Sequence, residues 1–308
     1  MPINSINSIP PPHLKSGDTI EIIASAKFVK LNDIDTAVEL IKKAGFNILL
    51  SKSVFKKDAV FAGTVEERLE SLQDALDNDK SKAILFARGG YGSIHLIDKL
   101  DFTTYYKSPK WLIGFSDMTT ILMHVQAKYS IQSIHGPMAY NFKKLEKKSL
   151  TKLLSCLKGR NESLEIRPNP LNRVGESTGV LIGGNLSIFC SLIGSLSFPK
   201  NHNQHILFLE EIDEYLYHIE RMLYILDRAG VLRNLKGLII GHMTNILDNE
   251  VAFGKTAKEI ILDLVKKYNY PVAFNIPVGH NNLNNPLVIG SEIQLNVTKD
   301  KTIIKYLN

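Results

Sequence analysis

Cysteine is almost absent from this sequence. Only Cys156 and Cys190 occur among 308 residues, and neither belongs to a C-x-x-C pair or has a histidine beside it. Disulfide-rich folds and structural zinc sites both need clustered cysteines or histidines. The scarcity therefore argues against a disulfide scaffold and against a structural zinc site, and we expect two buried thiols.

Long apolar runs are also missing. No stretch comes near the roughly 18 uninterrupted apolar residues of a membrane-spanning helix. The opening segment, MPINSINSIPPPHLKSGD, has no basic region followed by an apolar one, which is the pattern of a secretory signal. We therefore expect a cytoplasmic protein that does not enter a membrane.

Basic residues exceed acidic ones by 37 to 31, and the formal net charge is +6. A nucleic-acid partner favours basic stripes, with aromatic residues on which bases can stack. The lysines are instead scattered in short groups, such as Lys143 with Lys144 and Lys266 with Lys267. The pattern predicts a solvated surface without a nucleic-acid partner, and a mildly positive field that can attract a free carboxylate.

The length exceeds what one ordinary core supports, since single cores stop growing near roughly 250–300 residues. In the first half, apolar β-rich runs alternate with helix-period segments, which is typical of βαβ units around a parallel sheet. Thr64 and Glu67 have the spacing of a capping box at the start of one helix. The pattern predicts strands at residues 19–24, 46–50, 83–87 and 111–115, and helices at residues 32–44 and 65–77.

Residues 158–174 differ in character from the sequence on either side. They are polar, include Pro168 and Pro170, and show no clear periodicity. We interpret them as the crossing between an N-terminal α/β domain at residues 1–160 and a C-terminal mixed α+β domain at residues 175–308. The second half has an apolar stretch at residues 179–182. Its pattern predicts helices that begin near residue 185 and span residues 214–229 and 256–267, and strands at residues 205–209, 237–240, 272–275, 287–289, 292–297 and 302–306.

The sharpest local feature is W-L-I-G-F-S-D-M-T-T, an apolar strand that leads straight into a helix with Ser116 at the corner. Such a turn lifts a hydroxyl out of the sheet, and the first amides of the helix point toward charge that develops there. The amide of Asp117 is therefore a candidate oxyanion donor. The motif departs from G-x-S-x-G at Met118, and taken alone it more often marks a helix cap.

A glycine-rich loop, A-R-G-G-Y-G-S, follows another predicted strand at residues 87–93. Its glycines allow close approach of the backbone to a ligand and expose amide groups. Dinucleotide sites use similar loops, but the match to G-x-G-x-x-G is poor. Both features lie at carboxyl ends of strands in one sheet, where open α/β folds bind ligands. An amide of this loop can therefore face Ser116 and complete an oxyanion hole.

A serine nucleophile needs a general base, and nine histidines are available. His280 lies in P-V-G-H-N-N, a tight loop that follows a short apolar run and presents its side chains. His135, in I-H-G-P, is the rival. For the orienting acid, Glu210 ends an apolar strand, a place that an acidic first helix turn explains poorly.

Six motifs in this order, spread from about residue 13 to the end, resemble the serine LD-carboxypeptidases. That family includes the muramoyl-tetrapeptide carboxypeptidases and the microcin C immunity peptidases. The motifs are A-R-G-G-Y-G at residues 87–92, G-F-S-D at 114–117, H-G-P at 135–137, G-G-N at 183–185, L-E-E-I-D-E at 209–214 and V-G-H at 278–280.

The resemblance implies a flavodoxin-like or Rossmann-like N-terminal domain, a mixed C-terminal domain, and an active site between them in a homodimer. It places the nucleophile at Ser116, the base at His280 and the acid at Glu210, with Glu211 as the alternative acid.

The resemblance also implies roles for backbone groups and for residues around the triad. Oxyanion amides fall on Asp117 and on one of the pair Gly89 and Gly90. Asn185 matches a motif near the family's substrate cleft and is a candidate substrate-binding residue. Arg88 is a candidate for pairing with a substrate carboxylate, and a structural ion pair is its alternative role.

The implied reaction is hydrolysis of the bond before a terminal D-amino acid, as in cytoplasmic recycling of murein tetrapeptide to tripeptide, without metal or cofactor. Two alternatives stay open. One is an immunity peptidase that cleaves a peptide-nucleotide antibiotic, and the other is a nucleotide-binding or redox protein that uses the glycine loop.

Overall fold

Two β-sheets organise residues 8–200 and 204–307, the part of the chain that the computed structural model describes. The strands are β1 (Thr19–Ile23), β2 (Asn47–Leu50), β3 (Ser81–Phe86), β4 (Trp111–Gly114), β5 (Ser133–His135), β6 (Leu164–Ile166), β7 (Gly175–Asn185), β8 (His205–Ile212), β9 (Gly237–Thr244), β10 (Val272–Ala273), β11 (Leu287–Ile289), β12 (Glu292–Val297) and β13 (Thr302–Tyr306). The helices are α1 (Leu31–Lys43), α2 (Val65–Asp77), α3 (Thr103–Lys107), α4 (Thr119–Tyr129), α5 (Lys147–Leu157), α6 (Leu186–Ser191), α7 (Leu216–Arg228) and α8 (Ala257–Val265).

The first sheet has the order β2-β1-β3-β4-β5-β11. Its first five strands are parallel, and 2-1-3-4-5 is the flavodoxin-like order. Strands β3 and β4 are almost wholly buried, as expected of a parallel sheet that is covered on both faces. The predicted N-terminal parallel-sheet fold is confirmed.

Strand β11 adds an antiparallel edge to this first sheet, with Leu287 opposite His135. The segment comes from late in the chain, between β10 and β12 of the second sheet, and this pairing was not predicted from the sequence. Periodicity reports that a run is extended and buried, but it does not identify the partner strand.

The helices of the first half begin and end where local chemistry directs. At the start of α2, the Thr64 side chain accepts a hydrogen bond from the Glu67 amide at 3.2 Å, and the Glu67 carboxylate accepts one from the Thr64 amide at 2.9 Å. The predicted capping box is therefore present. Two lysines, Lys42 and Lys43, lie in the last turn of α1, where positive charge is favourable.

The second sheet has the order β10-β9-β8-β7-β12-β13-β6. Strands β7 to β10 are parallel, whereas β12, β13 and β6 are antiparallel, so the predicted mixed second fold is confirmed. Strand β6 lies within residues 158–174, the segment interpreted as an irregular crossing. It is only three residues long and pairs with β13 at the end of the chain, too short to show a period.

Helix α4 joins the two sheets. It follows β4 of the first sheet, and its Met123 belongs to the hydrophobic core of the second. The Asn185 amide donates to Thr119 Oγ1 at 3.2 Å, and the Gly183 amide contacts Met123 Sδ at 3.3 Å. The end of β7 is therefore fixed against the start of α4, directly beside the Ser116 corner.

The two thiols differ from expectation in one respect. Cys156 is buried, as predicted, but Cys190 is only partly buried. Across residues 8–200 and 204–307, no helix has the length and apolar character needed to cross a membrane.

Candidate active site

Ser116 occupies the sharp corner between β4 and α4. Its φ of +62° lies in the left-handed region, which residues other than glycine rarely adopt. A serine strained in this way between a strand and a helix is the geometry of a nucleophile elbow. The backbone therefore holds the hydroxyl out of the sheet at its carboxyl edge.

Helix capping does not explain this serine. Phe115 occupies the N-cap position of the turn that begins at Ser116, without a side-chain capping bond. The carboxylate of Asp117 accepts a hydrogen bond from the Ser93 amide at 2.9 Å. Burial raises the pKa of the Asp117 carboxyl, although the Ser93 amide opposes this. The acid therefore ties the corner to the glycine loop.

Gly89 lies directly against Ser116. A Cβ atom built on Gly89 would lie 3.2 Å from Ser116 Cβ and 3.4 Å from Ser116 Oγ, so any side chain there would crowd the Ser116 hydroxyl. The Gly89 carbonyl accepts a hydrogen bond from the Lys27 amide at 3.3 Å. Because the peptide bond is trans, the Gly90 N–H points away from Lys27. The Gly89 backbone therefore lies close to Ser116, and the next amide, that of Gly90, faces away from Lys27.

His280 and Glu210 form a hydrogen-bonded pair. His280 Nδ1 lies 2.6 Å from Glu210 Oε2, and the His280 amide donates to the same oxygen at 3.3 Å. The Glu210 side chain is fully buried, whereas that of His280 is 15% exposed. A carboxylate only accepts hydrogen bonds, so the Nδ1 atom carries the proton and the Nε2 atom is left as an acceptor.

The electrostatics of the pair favour its charged form. Burial acts to lower the pKa of His280, but attraction to Glu210 and their hydrogen bond outweigh it and hold that pKa above its ordinary value. Burial likewise acts to raise the pKa of Glu210, and the charge and hydrogen bonds of His280 hold it below its ordinary value. The arrangement makes a proton on His280 more stable than on an isolated imidazole.

The backbone around Gly279 makes this pairing possible. Gly279 has a φ of +113°, and a Cβ atom there would lie 2.7 Å from Glu210 Oε2. The Thr244 hydroxyl donates to the His280 carbonyl at 2.8 Å, and the His242 amide donates to the Val278 carbonyl at 2.9 Å. The end of β9 therefore holds the loop of the histidine over the carboxylate.

The Ser116 corner and the histidine meet through Phe115. The centroids of the Phe115 and His280 rings are 4.7 Å apart. In the part of the chain that is described, no hydrogen bond joins the Ser116 hydroxyl to His280, and such bonds are often long before substrate binds. A cavity of about 320 Å³ opens here, lined by Asp33, Phe115, Tyr140, Asn141, Lys143, Lys144, Leu145, Ile212, His280, Asn281 and Asn282.

The rival base, His135, lies in the interior of the protein. It is fully buried in β5, its ring lies 4.9 Å from that of Phe208 and 5.8 Å from that of Phe115, and burial lowers its pKa to about 4. Neither ring nitrogen has a hydrogen-bond partner among residues 8–200 and 204–307. The structure therefore does not present this imidazole to the cavity.

Glu211 and Asn185 are occupied with each other. Glu211 accepts hydrogen bonds from Asn185 Nδ2 and from the Ser187 amide, both at 2.7 Å. The Asn185 side chain in turn accepts from the Ile188 amide at 3.2 Å and caps α6. Asn185 is only 3% exposed, so its predicted contact with substrate gains no support from this geometry. Of the two neighbouring acids, Glu210 is the one at the histidine.

Two family models match the chain. The model of the LD-carboxypeptidase N-terminal domain matches residues 20–136, which contain Ser116 and the glycine loop. The model of the C-terminal domain matches residues 178–295, which contain Glu210 and His280. The chain belongs to the LD-carboxypeptidase family. Its enzyme class is therefore the predicted one, a serine-type carboxypeptidase, and the resemblance is confirmed.

Relatives of this LD-carboxypeptidase cover nearly its full length. A probable murein peptide carboxypeptidase of Bacillus subtilis is 27% identical over 96% of this chain and 94% of its own. The murein tetrapeptide carboxypeptidase of Pseudomonas aeruginosa is 28% identical over 86% of this chain and 89% of its own. The crystal structure of muramoyltetrapeptide carboxypeptidase from Oxalobacter formigenes is 28% identical, with a TM-score of 0.85 over 94% of this chain and 99% of that one.

Arg68 supports the glycine loop of this LD-carboxypeptidase and was not predicted from the sequence. Arg68 is 1% exposed, and its guanidinium donates to the carbonyls of Ser25 and Gly92 at 3.0 and 3.1 Å. The sequence does carry an indication of this role, because Arg68 is four residues before Leu72 and so lies on the same face of α2. An arginine within an apolar stripe indicates a buried cation that binds backbone carbonyls.

Proposed function

We propose that this LD-carboxypeptidase hydrolyses the bond before the terminal D-amino acid of murein tetrapeptide and releases the tripeptide. The 2.6 Å contact between His280 and Glu210, beside the strained Ser116 corner, carries the proposal. The relatives named as murein peptide carboxypeptidases in Bacillus subtilis and Pseudomonas aeruginosa supply the substrate class.

In the proposed reaction, the Ser116 hydroxyl attacks the carbonyl of the penultimate residue while His280 Nε2 accepts its proton. Glu210 keeps the imidazole in the correct tautomer and stabilises the imidazolium that forms. His280 then gives the proton to the leaving amino group, which frees the D-amino acid and leaves an acyl-enzyme. Water, deprotonated by the same histidine, releases the tripeptide and restores Ser116.

The negative charge of the tetrahedral intermediate needs donors that are already oriented. We assign this role to the amide of Asp117 and to an amide of the pair Gly89 and Gly90. Gly89 supports the assignment because it lies against the nucleophile, and Gly90 supports it because its N–H points away from Lys27. Removing one such donor typically costs about 10²–10³-fold in kcat.

Antibiotic immunity is the alternative function. The microcin C7 self-immunity protein of Escherichia coli is 27% identical over 74% of this chain and 76% of its own. Tetrapeptide and a microcin-like peptide-nucleotide conjugate, assayed side by side with the same enzyme, separate the two activities. Membership of a peptidase family favours either activity over the dinucleotide-binding or redox function.

We also propose that the enzyme acts in the cytoplasm as a homodimer of two-domain subunits, divided near residues 160–175. The substrate of murein recycling is cytoplasmic, and the family resemblance implies the dimer. Light scattering coupled to gel filtration gives the mass in solution, and a mass of one subunit at assay concentrations would remove the dimer from the proposal.

Replacing the nucleophile tests the function. Ser116→Ala should abolish release of D-alanine from purified tetrapeptide, measured by mass spectrometry, without a change in the circular dichroism spectrum. Ser130→Ala is a matched control, because Ser130 also has a left-handed φ, of +56°, but lies at the other end of α4. Retained activity in Ser116→Ala, or equal loss in both variants, would contradict the proposal.

A further inference from the structure

Arg88 is placed beside the nucleophile without an ionic partner. It directly precedes Gly89, which lies against Ser116. Within the described residues, no carboxylate lies within the 4.0 Å of an ion pair from its guanidinium, and no carbonyl accepts from it. The other partly or fully buried arginines are used differently, since Arg68 donates to the carbonyls of Ser25 and Gly92, and Arg173 donates to carbonyls in the second domain.

Tyr140 holds the Arg88 guanidinium at the edge of the active-site cavity. The central carbon of the guanidinium lies 4.2 Å from the centroid of the Tyr140 ring, and that ring lines the cavity together with Phe115 and His280. A cation–π contact of this kind uses the face of the guanidinium. The N–H groups in its plane stay available, in the fork geometry that matches a carboxylate.

The substrate of a carboxypeptidase has its terminal carboxylate close to the carbonyl that the nucleophile attacks. In the residue that leaves, only the nitrogen and the Cα atom separate the scissile carbonyl from the terminal carboxylate, a span of about 4 Å. Because Arg88 is two positions along the chain from Gly90 and its side chain extends several bonds beyond the backbone, it can reach such a group. Burying an anion there without a cation would be strongly unfavourable.

We infer that Arg88, braced on Tyr140, binds the terminal carboxylate of the substrate and restricts this enzyme to the last peptide bond. The inference rests on the proposed function and deepens it, since it names the specificity-determining residue. A structural ion pair, the alternative role for Arg88, has no partner among the described residues. Lys144, which lines the cavity and has no ion pair among the described residues, is the competing cation.

A cycle of two changes tests the inference. Wild-type enzyme and Arg88→Met are each assayed on murein tetrapeptide and on the same peptide with a C-terminal carboxamide. Either change alone should lower kcat/KM on the order of 100-fold, mostly through KM, because a bidentate charged contact is lost. Both changes together should cost no more than about threefold beyond either one, because the contact can be lost only once.

Further variants keep the test decisive. Arg88→Lys retains the charge but not the fork, and should lose about tenfold on the free acid and little on the amide. Arg167→Met, which removes a charge from an exposed position, should match wild type on both substrates. Tyr140→Leu removes the ring face and should show part of the Arg88→Met loss, again only on the free acid, whereas Tyr140→Phe keeps the ring face and should show less of that loss.

The outcomes distinguish a failure of this inference from a failure of the proposed function. Wild-type enzyme that releases no D-alanine from tetrapeptide would remove the proposed function and the inference with it. An active wild type, with Arg88→Met and Arg88→Lys equally active on the free acid, would overturn the inference alone. So would losses in Arg88→Met that are equal for acid and amide, or a carboxylate-dependent loss that appears in Lys144→Met instead.

Discussion

Two histidines lie within electrostatic reach of the same carboxylate, Glu210, and they differ in every property that decides base chemistry. His280 stands on a loop at the cavity, with Nδ1 hydrogen-bonded to Glu210 and its pKa raised. His135 lies in strand β5, fully buried, with no hydrogen-bond partner among residues 8–200 and 204–307 and a pKa lowered to about 4. Proximity to an acid is therefore not enough, since hydrogen bonding to the acid and access to the cavity distinguish the proposed base, His280, from the buried His135.

The comparison also shows which physical effect dominates at each site. Burial lowers the pKa of both rings, because it disfavours the imidazolium. At His280, the attraction and hydrogen bond of Glu210 exceed that cost. At His135, the same charge acts without a hydrogen bond and burial dominates. Direct contact with the carboxylate, whose charge attraction and hydrogen bond both raise the pKa of His280, reverses the sign of the shift.

The largest expected effect is the loss of the base. His280→Ala should lower kcat/KM for tetrapeptide by about 10⁵-fold or more, because Ser116 loses the group that accepts its proton. His135→Asn should retain activity within about tenfold, measured by the same release of D-alanine. Equal losses in the two variants, both folded by circular dichroism, would erase the distinction drawn between the histidines.

The next largest effect is expected from the acid. Glu210→Gln keeps the shape of the side chain but leaves the imidazole free to adopt the wrong tautomer, and should lower kcat by about 10⁴-fold. Glu211→Gln is the matched control on the adjacent position, and we expect it to act on the stability of α6 more than on kcat. A greater loss of kcat in Glu211→Gln would assign the acid to the other residue.

The burial of His135 should change how the free energy of unfolding depends on pH. Between pH 6.5 and about 4 the unfolded chain protonates residue 135, whereas the folded protein keeps it neutral. The free energy of unfolding should therefore fall as the pH drops through this window, by roughly 3 kcal/mol from this group. His280 acts with the opposite sign, since its raised pKa gives stability that is complete below pH 6.5 and is lost as the pH rises through that raised value.

Urea unfolding at several pH values measures this slope in wild type and in His135→Asn. The variant should show a shallower fall in the free energy of unfolding between pH 6.5 and 4. If the free energy of unfolding falls with the same slope in the two proteins, His135 titrates normally. That result would contradict the conclusion that the folded protein keeps His135 buried and neutral.

The smallest effect concerns the acidic limb of the pH profile. In wild type, kcat/KM should fall as the pH drops through the raised pKa of His280, because the base becomes protonated. In Glu210→Gln the residual activity should persist to lower pH. The charge that raises the pKa of His280 is gone, while burial still lowers that pKa. An acidic limb at the same pH in wild type and Glu210→Gln would show that a group other than His280 causes it.

The sequence predicted those features whose cause is local. An apolar strand running into a helix predicted the corner at Ser116, and a tight loop after an apolar run predicted that the side chain of His280 is presented rather than buried. The alternation of strands and helices indicated the parallel first sheet. Each of these depends on neighbours in the chain, and the structure places them where the pattern indicated.

Features that depend on distant contacts were not predictable. Adjacent residues on a strand point to opposite faces, so the choice between Glu210 and Glu211 depends on which face meets the loop near residue 280. The pairing of β5 with β11 joins segments about 150 residues apart and follows from the packing of both sheets. The occupation of Asn185 by Glu211 likewise forms only when β7 and β8 are paired.

The most direct test of the central claim is covalent labelling of Ser116 by a fluorophosphonate, followed by intact-mass and peptide analysis. An activated serine should take up one equivalent at residue 116, and the rate should drop sharply in His280→Ala and in Glu210→Gln but not in His135→Asn. Absence of an adduct at Ser116, or labelling at an unchanged rate in His280→Ala, would contradict the account.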